Sequence, residues 1–431
     1  MHTDQIVPHR TFWLETAVLV LITPFLLFPE VSTVGTFFSL LFLAFLWLYP
    51  KSTASRLILP QTPINIAILM FLLMLGVSIL VTADIELTLP KATGLLLGIT
   101  VWRYISLFCT NQRMLWLLIC GFVVVGLGFT ILGVLNANWL AKIPVLEEIA
   151  SQLPGASFLL PESAANGVHT NQIASIILIW LPLLISLLLG WQQLEKPVWI
   201  RLVVLVLFVI GAVLLLLTQS RSGYIGMAGT LFVLLFLWRQ QLPVSAVFRK
   251  WITAVILLMM FVGIGGLMWL GPERIALIWQ DPNQESVVGN LSTIGFRQEV
   301  WQWGVAAAGD FPFTGTGLGT FRQVARRLYP LNVTPSYDIA HAHNIFLQTA
   351  LDLGIPGLIA YGAILLIVGW LGWEVGKKDV TLRPFSLGIL SGIIALHLFG
   401  MTDALALGAK PGLLFWMGLG LMTAMYRIVT H

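Results

Sequence analysis

Apolar residues in this chain fall in long runs, each bounded by a short polar or charged cluster, rather than in the amphipathic patterns of a soluble fold. Twelve runs approach or exceed the roughly 17 to 25 residues that a helix needs to cross a hydrocarbon core of about 30 Å. They extend approximately from Phe12 to Phe28, Val34 to Tyr49, Ile64 to Val81, Thr93 to Phe108, Met114 to Leu135 and Gln172 to Leu189. The second half supplies Leu202 to Leu217, Tyr224 to Trp238, Trp251 to Leu270, Ile345 to Trp373, Phe385 to Met401 and Gly412 to Tyr426. Helices are expected throughout, because lone strands would leave backbone groups unpaired in lipid and the runs are too evenly apolar for barrel strands. The fourth run is the least uniform, since it carries Arg103.

Composition agrees with that pattern: of 431 residues, 58% are hydrophobic and only 10% charged, far from the balance of a soluble domain. The reading is an all-α membrane protein of about twelve transmembrane helices in one integral domain, residues 1–431. The first run lacks a small-residue cleavage site and is expected to stay as an anchor. Cys109 and Cys120 show no metal-binding pattern, and no disulfide framework is expected. A nucleotide-binding loop and a long basic tail are both missing from the sequence, which argues against ATP hydrolysis and against nucleic acid as a partner.

Charge placement predicts the orientation. One set of short loops holds Arg10, Lys51, Arg56, Arg103, Arg113, Lys196, Arg201, Arg239, Arg249, Lys250, Lys377, Lys378, Arg383 and Arg427, and the opposite set only Lys91, Lys142, Arg221 and Lys410. Both termini are therefore expected in the cytoplasm, with the loops after runs five and nine facing outward. The first of these, residues 136–170, mixes Trp139, Ile143, Val145, Leu146 and Ile149 with Lys142, Glu147 and Glu148, a pattern suited to a short surface helix. Beyond it, Asn171 stands at a helix start, where a capping role competes with a functional one, and His169 reads as a solvated loop residue.

The large outward-facing loop between runs nine and ten, residues 271–340, is expected to contain short interfacial helices and to be the working surface. Phe296, Val300 and Trp303 recur on one side of a helical segment, with Arg297 and Trp301 on another. Pro312 and glycines 315, 317 and 319 then open a turn, which reads as a loop turn or a phosphate cradle but lacks the nucleotide-loop fingerprints. Phe321, Val324 and Leu328 predict a second interfacial helix, with Arg322 and Arg326 on a separate face that suits either anionic substrate or lipid headgroups.

His341-Ala342-His343-Asn344 follows, just before a long apolar run, which places its imidazoles at the outer mouth of the bundle. Histidine titrates near neutrality and can accept a hydroxyl proton. A metal reading of the His-X-His pair is weakened because no third ligand stands nearby in sequence and two such residues would point apart on a helix. Two further charges, Arg221 and Asp403, fall at outward junctions where polar groups line a cavity or find a partner. They suit either each other or an anionic ligand facing Arg221.

From Thr218 to Gly357, and more loosely over the whole layout, the chain resembles the O-antigen ligase and polymerase superfamily of membrane glycosyltransferases. The resemblance is carried by Ser220-Arg221-Ser222-Gly223 at a helix junction, the outer loop beginning near Arg297, the Gly315-Thr316-Gly317 turn and His343-Asn344 with the later Gly354. Asn166-Gly167 through Asn171 is a weaker match. The resemblance implies transfer of a glycan from a polyprenyl (undecaprenyl) diphosphate carrier to an acceptor hydroxyl of a lipid, polysaccharide or protein, outside the bacterial cytoplasmic membrane. It implies no nucleotide sugar, cofactor or metal. By position, Arg221 and Arg297 would bind the diphosphate and His343 would assist the acceptor hydroxyl. Asn344, His341, Arg322, Arg326, Asn171 and Asp403 complete the set of expected substrate contacts. A transporter or flippase for lipid-linked sugars is the rival from another class.

Overall fold

Helix boundaries follow local caps as much as hydropathy. The computed structural model describes residues 9–48, 59–139, 148–149, 152–153, 168–194, 196–241, 247, 249–261, 265, 285–286, 289–290, 292–330, 339, 341–405 and 407–430. In chain order the helices are α1 (His9–Leu27), α2 (Thr33–Leu48), α3 (Asn65–Leu80), α4 (Ile85–Phe108), α5 (Gln112–Leu135), α6 (Thr170–Leu189), α7 (Val198–Leu217) and α8 (Arg221–Gln241). After further helical residues at 249–261 come α9 (Ser292–Asp310), α10 (Phe321–Leu328), α11 (Ile345–Lys378), α12 (Arg383–Phe399) and α13 (Gly412–Thr430).

Each predicted run lies on a helix, the ninth only over its first part, because 262–264 and 266–270 lie outside the described residues. Among the described residues, six helices are by length and composition apolar enough to cross a membrane: α5, α6, α7, α8, α11 and α13. Shorter apolar helices occupy Phe12–Leu27, Thr33–Leu48, Asn65–Leu80 and Arg383–Phe399. The architecture is that of a multi-pass helical membrane protein, with six full-length spans among the described residues against the twelve expected. The largest boundary error is at α4, which starts at Ile85 rather than Thr93. There the Asp84 carboxylate accepts from the Glu86 and Leu87 amides at 2.9 and 3.3 Å, so a polar cap starts the helix before the apolar run does. The surface helix expected within 136–170 falls almost wholly outside the described residues. At its margins Ala137–Asn138 pairs in parallel with Val168–His169, and further on Glu285–Ser286 pairs antiparallel with Gly289–Asn290, two minor strand pairs in a mainly helical fold.

Small residues allow close helix contacts where lipid offers no hydrophobic drive between helices. A Cβ at Gly392 of α12 would collide with the Ile179 carbonyl of α6, and one at Gly126 of α5 would meet Trp180. The Trp180 indole donates to Thr130 Oγ1 at 3.2 Å, so its polar edge is satisfied in the bundle. α12 packs between α6 and α8, α13 against α4, and α3 against α11. Gly190, Trp238 and Pro384 meet at one end of this bundle, so the N-termini of α6, α8 and α11 and the C-terminus of α12 lie at the other.

At 34 residues, α11 is too long to be one straight span: at about 1.5 Å per residue it would reach about 51 Å. It breaks at Gly354, whose φ of 70° and ψ of 175° are non-helical. A side chain there would strike the Phe313 carbonyl. The glycine turn packs into this break. The Thr316 amide donates to the Leu351 carbonyl at 2.6 Å, the Ile355 amide to the Pro312 carbonyl at 2.7 Å, and the Gly319 amide to Asp352 Oδ1 at 2.8 Å. Residues 315–320 are buried. The turn is therefore a bracket that bends α11, and these contacts favour the loop-turn reading over a phosphate cradle.

Candidate functional site

Asp403 is the hub. It lies in the loop that leaves α12, 5% exposed, and four segments converge on its carboxylate. Oδ1 accepts from the Ala404 amide at 2.9 Å, faces His343 Nδ1 at 3.3 Å and lies 3.7 Å from His341 Nε2. Oδ2 accepts from Asn171 Nδ2 at 2.5 Å and lies 3.6 Å from an Arg297 guanidinium nitrogen. Burial alone would raise the pKa of this carboxyl. The His343 hydrogen bond, the adjacent His341 and His343 imidazoles and the Arg297 guanidinium outweigh burial and hold its pKa below the ordinary carboxylate value.

Local structure fixes each arm of this cluster. Asn171 opens α6, but it does not cap the helix: His169 Nδ1 accepts the Asn171 amide at 3.1 Å, leaving the Asn171 side chain for Asp403. Arg297 projects from the first turns of α9, whose Val300 is fully buried and whose Phe296 packs edge-on to the His343 ring at 5.5 Å. Asn344 caps α11, accepting the Phe346 and Leu347 amides at 3.0 Å, and its Nδ2 donates to the Met401 carbonyl at 3.1 Å. Its polar atoms are thus engaged in joining α11 to the Asp403 loop rather than directed at the His343 ring or a sugar.

The two histidines do different work. His343 sits at a φ of 51°, a left-handed conformation that costs a residue with a β-carbon about 1–3 kcal/mol and is held by its surroundings. Its amide donates to His341 Nδ1 at 3.2 Å. That acceptor role places the His341 proton on Nε2, facing Asp403. Burial first, and then the neighbouring charge of His343, push the His341 value down to about 3, so this ring is neutral at physiological pH. His343 Nδ1 faces the carboxylate and carries the proton by the same logic, and its Nε2 has no hydrogen-bond partner among the described residues. The sequence expectation that the imidazoles would diverge on a helix is corrected: the ring centroids lie 4.3 Å apart in an irregular segment. A third ligand also exists, since ligand atoms of His341, His343 and Asp403 all lie within 4.8 Å of one another, a set able to hold a metal ion. Arg297 on the same carboxylate opposes a cation there, and proton transfer uses the same atoms.

Arg221 does not pair with Asp403, whose cationic partner is Arg297. It opens α8 beside the site: Ser222 Oγ accepts from Thr402 Oγ1 at 2.9 Å, one residue from Asp403. Gln219, at a φ of 50°, makes the turn into α8, and Ser220 Oγ accepts the Gly223 amide at 3.2 Å. The Arg221 guanidinium makes no hydrogen bond or ion pair with a described residue. Arg322 and Arg326 lie on α10 and are not among the partners of Asp403. That helix turns Phe321 and Ala325 inward and leaves Leu328 exposed, rather than burying Val324 and Leu328. Sequence reasoning missed Trp301, whose indole donates to the Ala342 carbonyl at 2.9 Å, and Gln348, which accepts the Ala342 amide at 2.7 Å.

A multi-pass helical membrane protein with a histidine, aspartate and arginine cluster at one end of its bundle is the class that fold and site define. Residues 206–362 match the family model described as O-Antigen ligase. That match supports the O-antigen ligase superfamily, and with it a bacterial membrane glycosyltransferase of the ligase or polymerase type. No curated protein matches the chain. The matched segment contains Arg221, Arg297, His341 and His343, whereas Asn171 and Asp403 lie outside it.

Proposed function

We propose that the chain transfers a glycan from a polyprenyl diphosphate carrier to an acceptor hydroxyl, with O-antigen ligation the leading reading and polymerisation or protein glycosylation the alternatives. The observation that carries this is the Asp403 hub, which joins His343 and Arg297 and lies beside the start of α8, where Arg221 has no partner among the described residues. Asp403 keeps the His343 proton on Nδ1, leaving Nε2 with a lone pair as general base. The acceptor oxygen attacks the anomeric carbon, its proton passes to Nε2, and the bond from that carbon to the phosphate oxygen breaks. The electron pair leaves with the carrier diphosphate, whose growing charge Arg221 and Arg297 stabilise. Attack opposite the leaving group inverts the anomeric centre. The cation-poor loops support a site outside the cytoplasm, with both termini inside.

The test is transfer by purified protein in liposomes from a polyprenyl-diphosphate glycan to lipid, polysaccharide and peptide acceptors, without nucleotide and with chelator. Wild-type product that is lost in Arg297→Ala and His343→Ala supports the reading, and the acceptor used identifies the subtype. No product with any acceptor, from folded protein that binds donor, would refute it. Product abolished by chelator and restored by a divalent ion would assign the His341, His343 and Asp403 set to a metal instead.

A further inference from the structure

Ala342, the residue between the two histidines, is fully buried and held from both sides. Its carbonyl accepts from Trp301 and its amide donates to Gln348 Oε1. The Gln348 amide group continues inward, donating through Nε2 to Asp352 Oδ1 at 2.8 Å. The same Asp352 oxygen accepts the Gly319 amide of the glycine bracket. Gln348 and Asp352 lie one turn apart on the piece of α11 that precedes the Gly354 break. Both side chains are at most 1% exposed. The Lys91 ammonium of α4 acts electrostatically on both Asp352 and His341, so the pair is also within the charge environment of the site.

Nothing in the proposed transfer step uses Gln348 or Asp352, and a buried carboxylate inside an apolar bundle is costly to retain for packing alone. Their bonds run in one direction, from the bracket that bends α11 to the backbone on which the strained His343 is mounted. We infer that Gln348 and Asp352 are positioning residues that hold the Ala342 amide, and through it the left-handed His343, so that His343 Nδ1 stays on Asp403 and Nε2 faces the acceptor. This rests on the transferase reading and adds to it a second layer that never touches substrate. Displacing the reacting atoms by even about 1 Å is enough to slow a reaction about 100-fold.

The test uses full-length protein in liposomes and four forms: wild type, Gln348→Glu, Asp352→Asn and the double variant. In Gln348→Glu two carboxylates face each other, and in Asp352→Asn the donor of Gln348 meets an amide with its charge removed. In the double variant the carboxylate at position 348 still accepts the Ala342 amide and the net charge is unchanged; because Gln348 and Gly319 share one Asp352 oxygen in the wild type, the amide at 352 restores the pair by turning Nδ2 toward position 348 and Oδ1 toward Gly319. Each single variant is expected to lower kcat at least about 10-fold while the donor KM changes less than about 3-fold. The double variant is expected to recover most of the lost kcat, a coupling that independent sites would not show.

Folded single variants with wild-type kcat would overturn the inference, as would a double variant that is folded but as slow as the slower single. If the singles do not fold, the double decides: recovery of fold and kcat together supports the inference, and failure of either counts against it. Wild-type protein without transfer activity would refute the transferase reading itself, a separate result.

Discussion

Replacing Asp403 by asparagine keeps the shape of the hub and removes its charge. One of the two terminal positions then becomes a donor, turned either against His343 or against Asn171 and Arg297, both of which already donate. The bond that bears on the reaction is the one to His343 Nδ1 at 3.3 Å. A hydrogen bond to a charged group contributes about 1.5–3 kcal/mol, which corresponds to about 10- to 150-fold in kcat when it is lost in the transition state. The 3.6 Å contact with Arg297 has a bare Coulomb energy of roughly 4–5 kcal/mol at an effective dielectric of about 20, but both groups retain some solvent exposure and the net value is smaller. Its loss is expected mainly in the donor KM, since Arg297 is freed rather than removed. The assay is initial-rate transfer in proteoliposomes with donor varied at saturating acceptor, alongside thermal unfolding to establish that the variant is folded. A folded Asp403→Asn protein with kcat within about 3-fold of wild type, while His343→Ala is inactive, would refute the orienting role.

The two arginines should separate. Arg221→Ala removes a side chain without a described partner, so stability should change by less than about 0.5 kcal/mol while donor KM rises about 10-fold or more. Arg297→Ala strips Asp403 of its guanidinium and should cost about 1–3 kcal/mol of stability as well as activity; equal unfolding curves for the two variants would contradict the assignment. His341 is pushed from 6.5 to about 3 on folding, so the unfolded chain binds the proton first as pH falls. The stability it contributes is complete above about pH 6.5 and is lost progressively toward pH 3. His341→Asn should flatten that part of the unfolding profile, and an unchanged slope would show that the ring does not resist protonation. Gly354→Ala forces a β-carbon into a left-handed position against the Phe313 carbonyl and should lower stability by at least about 1–2 kcal/mol. A neutral result by thermal unfolding would mean that the break in α11 relaxes without cost.

Helices were legible because apolar length and caps are local properties, and the errors fall where polar residues sit inside the element. Glu86 and Lys91 hide the start of α4, and Gly354 hides a break inside a continuous apolar run. Arg221, Arg297 and His343 stood out as candidates because a cation or an imidazole at an apolar boundary is conspicuous. The way they join was not legible. Asn171 and Asp403 are 232 residues apart, and nothing in the spacing around either indicates that one donates to the other. Asn171 sits where a capping residue is expected and leaves the cap to His169, so local chemistry pointed to the wrong partner. Gln348 and Trp301 were missed for a different reason: each bonds a backbone group of Ala342, and backbone groups carry no sequence signal.

The same arrangement bears on the choice between transfer and transport. A carrier needs polar groups along a path through the bundle, exposed in turn to each side. Here the described polar side chains of the cluster gather at one end, where Lys91, Arg221, Arg297 and Lys410 supply positive charge on the face whose short loops are otherwise poor in it. Deeper in the bundle, His397 has both ring nitrogens engaged, Nε2 with the Tyr361 hydroxyl at 2.8 Å and Nδ1 with the Ile393 carbonyl at 2.7 Å, and Trp102 and Trp180 are fully buried. A histidine with both nitrogens occupied is a packing element rather than a relay. An anion held by Arg221 and Arg297 would meet a base on one side and the ends of packed helices on the other, a geometry that suits chemistry at one membrane face better than passage across it. The sharpest discriminating result would be a His343→Ala protein that still binds the lipid diphosphate but no longer releases it as free carrier diphosphate, because a transporter has no use for a base at that position.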